Sequence, residues 1–145
     1  MGKEAHLIFV SYASPDRHRV LPIADWLEQQ GLNIWMDAKR LMPGQNWDFE
    51  INRALDKSCI ILIFISSNSI DRRGYIQKEL RAALDKAKEK LIDDIYIIPI
   101  IIDIDLDIPE QLRHIQCIRI SESDYKNVIY KSIRYQLDRL GIKIE

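Results

Sequence analysis

The stretch CIILIFIS, residues 59–66, is apolar at every position up to Ile65. A strand with one solvent-facing side alternates apolar and polar residues, whereas a strand covered on both faces is apolar along its length. The run IYIIPIII at 95–102 has the same character. Shorter strand candidates are HLIFVSY at 6–12, LNIWMD at 32–37 and QCIRI at 116–120. These five segments predict a parallel sheet that helices cover on both faces.

Helix signals lie between the predicted strands. After the first strand, Ser14 suits an N-cap, Pro15 the first helical position and Gly31 the C-terminal cap. Pro22 inside this helix predicts a kink or a start delayed to about residue 20. Apolar residues at helical spacing mark three further helices: Trp47, Ile51, Ala54 and Leu55; Ile76, Leu80, Ala83, Leu84 and Ala87; Val128, Ile129, Ile133, Leu137 and Leu140. The alternation of strand and helix predicts an α/β, doubly wound domain.

Length and composition predict one globular domain over residues 1–145. The chain is 47% hydrophobic and 30% charged, with a net charge of −1 and no basic cluster, so neither nucleic acid nor a membrane is an expected partner. Its apolar runs are far shorter than the about 20 residues that span a bilayer. The start, MGKEAHLIFV, has no secretion signal. We therefore expect a cytoplasmic protein.

The cysteines and histidines predict neither a disulfide nor a metal site. Cys59 and Cys117 each lie inside an apolar run, which favours reduced, buried thiols over a disulfide. His6, His18 and His114 show no metal-ligand spacing with one another or with the cysteines. We expect no metal.

Ligands of doubly wound proteins bind outside the carboxyl ends of the strands, near the point where the strand order reverses. Four segments lie at this edge: Ser11 to Ser14, Asp37 to Asn46, Ser66 to Asn68, and the start of the helix with Tyr75 and Glu79. The segments contain no G-x-G-x-x-G loop, Walker loop or G-x-S-x-G elbow, which argues against redox Rossmann enzymes, P-loop NTPases and serine hydrolases. Serines also stand where a phospho-receiver domain needs acidic residues.

Glu79 is the strongest candidate for reaction chemistry. It lies about 85° from the middle of the apolar stripe of its helix, so it belongs neither to the core nor to the far solvent face. Tyr75, one helical turn earlier, lies on the same flank. Position alone favours an exposed acid with basic neighbours over a carboxylate held for chemistry. The residues by themselves leave both interpretations open.

Four segments in register resemble the Toll/interleukin-1 receptor (TIR) domain family. They are IFVSYAS at the first strand, GLNIWMDAKRLMPG across the second strand and its loop, CIILIFIS, and YIQKEL at the start of the next helix. Trp47 just after the Pro-Gly pair, and the absence of receptor appendages, are similar to the bacterial branch. The resemblance implies a flavodoxin-like, five-stranded parallel sheet of order 2-1-3-4-5.

The resemblance also implies an activity. Many animal members of the family are scaffolds, whereas many bacterial and plant members cleave the nicotinamide–ribose bond of NAD⁺. The cleaving members are similar in having a glutamate in this helix, usually four residues after a tryptophan, and Glu79 and Tyr75 occupy these positions. An NAD⁺ glycohydrolase of bacterial antiviral defence signalling is therefore expected, with Glu79 catalytic, NAD⁺ as substrate, and no cofactor. A non-catalytic interaction module is the alternative.

A substrate site at the rim is implied as well. Its expected residues are Ser11, Tyr12, Ala13, Ser14, Asp37, Trp47, Ser66 and Tyr75. The backbone at residues 12–14 lies near a helix N-terminus and suits phosphates, and Tyr75 suits stacking on a nucleotide ring. Structural roles stay open. Ser11 and Ser66 can simply end strands, Asp37 can brace the next loop, and both aromatic residues can cover the core.

The loop after the second strand, called the BB loop in this family, is expected to join copies of the domain. Its residues are Lys39, Arg40, Leu41, Met42, Pro43 and Gly44. Leu41 and Met42 are apolar on a loop, which favours a contact surface over a solvated turn. The two basic residues suit acidic groups on a partner. We expect homo-oligomers or filaments with other TIR domains, activity that rises on assembly, and a domain excised from a larger protein.

Overall fold

The computed structural model describes residues 7–40, 42–70, 85 and 97–142. Its strands are β1 (Leu7–Ser11), β2 (Asn33–Trp35), β3 (Ser58–Ile65), β4 (Ile97–Ile101) and β5 (Ile118–Arg119). Its helices are α1 (Arg17–Gln29), the single turn α2 (Asp37–Arg40), α3 (Trp47–Lys57) and α4 (Tyr125–Arg139). All five predicted strands are present, and their ends lie within one or two residues of the predicted bounds.

All strands are parallel and lie in the order β2-β1-β3-β4-β5. Phe9 of β1 lies opposite Trp35 of β2 on one side and Ile61 of β3 on the other. The chain moves outward from β1 to β2 and then returns past β1 to β3, so the order reverses between β1 and β3. The predicted flavodoxin-like fold is confirmed.

β3 is the central strand and is covered on both faces, as its sequence predicts. Alternate residues enter two apolar clusters: Ile60, Leu62 and Phe64 pack with residues of α1 and α4, and Ile61, Ile63 and Ile65 pack with residues of α3. All six side chains have no solvent exposure. Burial of each stabilises the fold by about 2 kcal/mol relative to an exposed position.

α1 begins differently from the prediction. A 3₁₀ turn at Ser14–Asp16 precedes it, with Ala13 at the N-cap. The predicted cap at Ser14 is therefore wrong, because the N–H of Asp16 already bonds to the carbonyl of Ala13, at 2.8 Å. Pro15 does lie in the first turn, where its fixed φ is tolerated. α1 then starts at Arg17 and includes Pro22, so the expected delay does not occur.

The ends of α1 and α4 show how far the helix predictions hold. Gly31 has a φ of 92° and follows Gln30, the C-cap residue of α1, which confirms its role in ending that helix. Ile129, Ile133 and Leu137 of α4 are buried, as predicted. Leu140, predicted on the same apolar face, is 47% exposed. It is the C-cap residue of α4, so the buried face ends before it.

The segment after β2 is only partly the loop that the sequence predicts. Residues Asp37–Arg40 form α2, a single helical turn. The backbone N–H of Lys39 donates to the carbonyl of Met36 at 2.9 Å, and the Lys39 ammonium is anchored to α1. The Lys39–Met36 bond closes the helical turn, and the ion pairs of Lys39 hold that turn against α1.

A tight turn follows α2. The N–H of Gln45 donates to the carbonyl of Met42 at 3.1 Å. Pro43 and Gly44 are the central residues, and the φ of Gly44 is 91°. Proline first and a positive-φ glycine second are the signature of a type II β-turn. We call Met42–Gln45 the Met42 turn. The predicted Pro-Gly turn is confirmed.

Both cysteines are free thiols, as predicted, although each is half-buried rather than fully buried. Burial raises the pKa of the Cys117 thiol, which lowers its reactivity. Among the described residues, no helix combines the length and the apolar character needed to cross a membrane.

Candidate functional site

The carboxyl edge of the sheet brings three loops side by side. Ser11 at the end of β1 lies opposite Ile63 of β3, and Ile65 at the end of β3 lies opposite Ile101 of β4. Residues that leave β1 and β3 therefore meet at the point where the strand order reverses. This is the place where doubly wound folds bind ligands.

Asp16 is the buried centre of this edge. Its Oδ1 accepts hydrogen bonds from Arg19 Nη2 at 2.7 Å and from Asn68 Nδ2 at 2.8 Å, and its Oδ2 accepts one from the hydroxyl of Ser66. Burial alone raises the pKa of Asp16, but these three donors outweigh it and hold the pKa below the ordinary value. Asp16 is therefore an ionised carboxylate that joins the loops after β1 and β3.

Arg19 extends the network to the end of β4. Its Nη1 donates to Asp103 Oδ1 at 2.6 Å, while its Nη2 bonds to Asp16. The backbone N–H of Ser67 donates to the other oxygen of Asp103, at 2.7 Å. Burial alone raises the pKa of Asp103, but the Ser67 N–H and Arg19 together lower it overall. One arginine thus bridges two carboxylates and links the loops after three strands.

The loop after β3 is ordered by its own hydroxyl groups. Ser66 Oγ accepts the N–H of Asn68 at 3.0 Å, and Ser69 Oγ accepts the N–H of Ser66 at 2.8 Å. Ser66 and Ser69 are fully buried. This reciprocal capping box starts a 3₁₀ turn at Ser67–Ser69. The hydroxyl of Ser66 is thus committed to Asp16 and to its own loop, beneath the rim.

Tyr12 and Asp37 come together across β1 and β2. The Tyr12 hydroxyl donates to Asp37 Oδ1 at 2.6 Å and accepts a hydrogen bond from Arg17 Nε at 3.3 Å. Partial burial, together with the hydrogen bond to Asp37, raises the pKa of Tyr12 to about 12. The phenol therefore stays protonated at neutral pH and acts as a donor to Asp37, not as a general base.

Lys39 is used within the domain. Its ammonium forms ion pairs with Asp25 and with Glu28, the latter at 2.7 Å, both on α1. The hydrogen bonds from Lys39 to these two carboxylates raise its pKa. Within this chain the charge of Lys39 is already paired with two carboxylates, and its contact with acidic groups of a partner stays a prediction.

The Met42 turn carries exposed apolar surface. Met42 is 64% exposed and precedes α3, on which Phe49 is 61% exposed. The N-cap of α3 is Asn46, whose side chain accepts the N–H of Phe49 at 3.0 Å. Pro43 and Gly44 are exposed as well. The exposure expected for this loop is confirmed at Met42, Pro43 and Gly44.

An open pocket of about 490 Å³ lies beside the Asp16 network. Ser67, Asp103, Ile104 and Leu106 are among the residues that line it, together with Arg19. Ile104 is 75% exposed. Arg19, Ser67 and Asp103 are hydrogen-bonded to one another within the lining, whereas the exposed Asp105 also lines the pocket. No three His, Cys, Asp or Glu side chains of the described ranges lie close enough to hold a metal ion.

The remaining predicted site residues fall into two groups. Ser11 and Ala13 are buried, whereas Ser14 is exposed. Leu41, Tyr75 and Glu79 lie outside the described residues, as do the side chains of Arg40 and Trp47. Of the predicted site residues, Tyr12 and Asp37 are hydrogen-bonded to each other. Ser66 instead bonds to Asp16, which was not predicted as a site residue.

Sequence reasoning missed Asp16, Arg19 and Asp103, and it named Asn68 only as part of a segment at this edge. These four residues form the polar centre of the edge. One signal was available, because each follows a predicted strand within a few residues. The ion pair of Arg19 with Asp16 has helical i, i+3 spacing. The other contacts were not readable, since they join distant positions, such as Asp16 with Ser66, 50 residues apart.

Comparison with known proteins settles the family. The family model described as "TIR domain" matches residues 8–132. The chain belongs to the TIR domain family. The curated relative "Uncharacterized protein y4cD" of Sinorhizobium fredii is 35% identical over 94 residues, which are 64% of this chain and 14% of that protein. The chain thus spans about one seventh of the length of the curated relative that it matches.

Solved structures share the fold of this TIR domain. The TIR domain of the Toll-related receptor TRR-2 from Hydra magnipapillata has a TM-score of 0.70 at 19% identity, covering 88% of this chain and 97% of that one. A TIR-STING receptor from C. gigas, solved with 2′,3′-cGAMP, has a TM-score of 0.71 at 18% identity, covering 92% and 40%. TIR domains of the activated Roq1 resistosome give 0.57 at 19% identity, covering 91% and 72%.

Proposed function

We propose that this TIR domain is an NAD⁺ glycohydrolase that cleaves the bond between nicotinamide and ribose. The observation that carries the proposal is the place of Glu79 in the chain, nine residues beyond Ile70, which is the last described residue of the segment that leaves β3 at the carboxyl edge. A glutamate at this place characterises the cleaving members of the family that the chain belongs to. Membership alone does not distinguish enzymes from scaffolds, so Glu79 carries the distinction.

A single carboxylate is enough for this reaction. Cleavage of the nicotinamide–ribose bond develops positive oxocarbenium character on the sugar, as in other glycosidic cleavages. The Glu79 carboxylate would hydrogen-bond the ribose hydroxyls and stabilise that charge. Nicotinamide leaves as a neutral molecule, because its ring is cationic in NAD⁺. Attack by water then gives ADP-ribose and one proton, so no metal and no strong general acid is required.

The described rim supports this assignment through its polar groups. Tyr12 keeps its proton and holds Asp37 by a 2.6 Å hydrogen bond, so both side chains are fixed where the loop after β1 begins. Ser14, two positions after Tyr12 in the chain, is exposed. The Asp16 network joins the loop after β1 to the loop that leads toward Tyr75 and Glu79. A preorganised rim of this kind lowers the cost of orienting a substrate.

The product and its use follow from the same proposal. If water captures the ribosyl cation, the product is ADP-ribose, and if the adenine captures it, the product is a cyclic ADP-ribose isomer. Either outcome removes NAD⁺ and suits bacterial defence signalling, the context that the family resemblance implies. The whole protein's role is part of this proposal, since the chain matches 14% of its curated relative.

Incubation of the purified chain with NAD⁺ tests the proposal. Nicotinamide release is followed by chromatography, and the second product is identified by mass, since cyclic ADP-ribose is lighter than ADP-ribose by one water. We expect nicotinamide and one adenine-containing product in equal amounts. Loss of NAD⁺ without nicotinamide release would contradict the proposed bond cleavage, and the absence of turnover at high protein concentration would contradict an enzyme.

A second candidate function is a non-catalytic TIR–TIR interaction module. The observation that favours it is the exposed apolar Met42 turn, with Met42 64% exposed. TIR domains are present in the activated Roq1 resistosome, and assembly through TIR–TIR contacts is a general property of the family. The two candidates differ in one result: a scaffold assembles without consuming NAD⁺, whereas the enzyme consumes NAD⁺ and does so faster when assembled.

A further inference from the structure

Three basic side chains lie at the described rim: Arg17, Arg19 and Lys39. Two of them, Arg19 and Lys39, form ion pairs with carboxylates of this chain. Arg19 bonds to Asp16 and Asp103. Lys39 is held by two acids of α1. Arg17 differs, because its contact within the described chain is to a neutral group, the hydroxyl of Tyr12. Its guanidinium is therefore the rim cation that forms no ion pair with a carboxylate of the described residues, although Asp37, bonded to the same hydroxyl, interacts with its charge more weakly.

One hydrogen bond, to Tyr12, holds the Arg17 side chain among the described residues. It is the first residue of α1 and is exposed. Its Nε donates to the Tyr12 hydroxyl at 3.3 Å, and that hydroxyl donates to Asp37 at 2.6 Å. The printed contact uses Nε, and the Arg17 side chain is otherwise exposed, so among the described residues neither Nη group has a hydrogen-bond acceptor. A planar guanidinium with two free Nη groups matches two phosphate oxygens in a bidentate pair.

The charge of the edge favours such a cation. Arg19 already pairs with Asp16 and Asp103, whereas Asp37 beside Tyr12 adds negative charge that would repel the diphosphate of NAD⁺. A cation held on the Tyr12 hydroxyl, as Arg17 is, would offset this repulsion.

We propose that Arg17 is a specificity-determining residue that binds the diphosphate of the substrate, with the Tyr12 hydroxyl holding its guanidinium in place. The inference rests on the proposed function, because it takes NAD⁺ as the ligand of this edge. It assigns Arg17 no part in bond cleavage. The expected contribution is to substrate affinity, and specifically to dinucleotides over substrates without a diphosphate.

Two substrates that share the scissile bond distinguish binding of the diphosphate from a part in bond cleavage. NAD⁺ contains the diphosphate, whereas nicotinamide riboside has the same nicotinamide–ribose bond and no phosphate. In Arg17→Gln we expect KM for NAD⁺ to rise about tenfold with kcat nearly unchanged, as for loss of one charge-assisted contact. The kcat/KM for nicotinamide riboside should stay within about twofold of wild type. Arg17→Lys, which keeps the charge and loses the fork, should fall between the two.

Arg134→Gln is the matched control. Arg134 also donates to a tyrosine hydroxyl, that of Tyr130, at 2.8 Å, but it lies on α4. We expect wild-type kinetics for this variant. Tyr12→Phe provides a second arm, because it removes the anchor of Arg17 without removing its charge, and a smaller rise in KM for NAD⁺ is expected. Circular dichroism verifies that each variant is folded.

Binding measurements keep the inference separate from the proposed function. Calorimetric titration of ADP-ribose and of adenosine into wild type and Arg17→Gln needs no turnover. We expect weaker ADP-ribose binding in the variant and equal adenosine binding. NAD⁺ cleavage with an unchanged KM in Arg17→Gln, or equal losses for NAD⁺ and nicotinamide riboside, would overturn the inference alone. If wild type neither cleaves NAD⁺ nor binds ADP-ribose, the proposed function and the inference both fail.

Discussion

Asn68 Nδ2 lies 2.8 Å from Oδ1 of Asp16, although 52 positions separate the two residues in the chain. The bond spans the point where the strand order reverses, because Asp16 follows β1 and Asn68 follows β3. In many doubly wound proteins this crevice is open to ligand. Here its floor is a network of hydrogen-bonded side chains, so the rim loops are held in one arrangement before any ligand arrives.

Removal of the Asp16 carboxylate should destabilise the domain strongly. Asp16→Ala leaves the hydroxyl of Ser66, the amide of Asn68 and one side of Arg19 without their acceptor. Asp16 and Ser66 are fully buried, and loss of a charged acceptor at such a site costs about 3 kcal/mol of unfolding free energy. Asp16→Asn keeps the shape and should cost less. Urea unfolding followed by circular dichroism measures both values.

Asp138→Asn is the control for that measurement. Asp138 is exposed on α4, so removal of its charge should change the unfolding free energy by less than about 0.5 kcal/mol. Equal stability of Asp16→Ala and Asp138→Asn would show that the buried network contributes nothing to stability.

The same carboxylates predict a dependence of stability on pH. The pKa values of Asp16 and Asp103 lie below the ordinary 3.8 in the folded state. The unfolded chain therefore binds more protons than the folded chain between those values, and stability rises with pH in that window. Their contribution is complete above about pH 4 to 5 and is lost as the pH falls through the folded-state pKa values.

Unfolding midpoints measured in urea from pH 7 down to pH 3 check this dependence. We expect a plateau followed by a fall below about pH 4. The double variant Asp16→Asn/Asp103→Asn should show a shallower fall. If wild type and the double variant lose stability in parallel, other groups are responsible for the acid limb.

Much of the fold could be predicted from sequence because its strongest signals are local. The apolar run at 59–65 has a covered strand as its simplest explanation, and the structure confirms it. Gly31 and the Pro43-Gly44 pair were readable because φ preferences belong to single residues.

The polar centre could not be predicted in the same way. Whether Ser14 or Asp16 becomes the key polar group after β1 depends on Ser66, which lies on a distant loop. Lys39 was predicted to face a partner, but its pairing with α1 depends on how α1 and α2 pack. Such contacts are products of the tertiary fold, and no spacing within one segment encodes them.

The Met42 turn allows a test of assembly. Gly44 has a φ of 91° and open space around its Cα, so Gly44→Ala strains the backbone without a steric clash. We expect a loss of about 1 to 2 kcal/mol of stability and a weaker rise of specific activity with protein concentration, because the turn that presents Met42 is distorted.

Gly141→Ala is the matched control for the turn. Gly141 also has a positive φ, 75°, and no atom within 4 Å of an added Cβ, but it follows α4. A similar loss of stability is expected, with the concentration dependence of activity unchanged. Specific activity that stays constant over a hundredfold dilution of a monomeric wild type would contradict assembly-dependent activity.

Tyr75 is expected to stack on a nucleotide ring rather than to transfer a proton. A phenol with an ordinary pKa near 10 is protonated at neutral pH. Tyr75→Phe should therefore keep its activity, whereas Tyr75→Ala should lose about tenfold or more in kcat/KM, about 1.4 kcal/mol of transition-state stabilisation. Steady-state kinetics with NAD⁺ measure both. An equal loss in the two variants would assign the role to the hydroxyl.

The rate of nicotinamide release from NAD⁺ by wild type and by Glu79→Gln tests the central claim most directly. The amide keeps the size of the carboxylate and removes its charge, so stabilisation of the ribosyl cation is lost. Glu110→Gln, at an exposed glutamate of the turn at Glu110–Leu112, is the matched control. We predict that kcat falls by about a hundredfold or more in Glu79→Gln and is unchanged in Glu110→Gln. Equal rates in wild type and Glu79→Gln, with both proteins folded, would contradict the account.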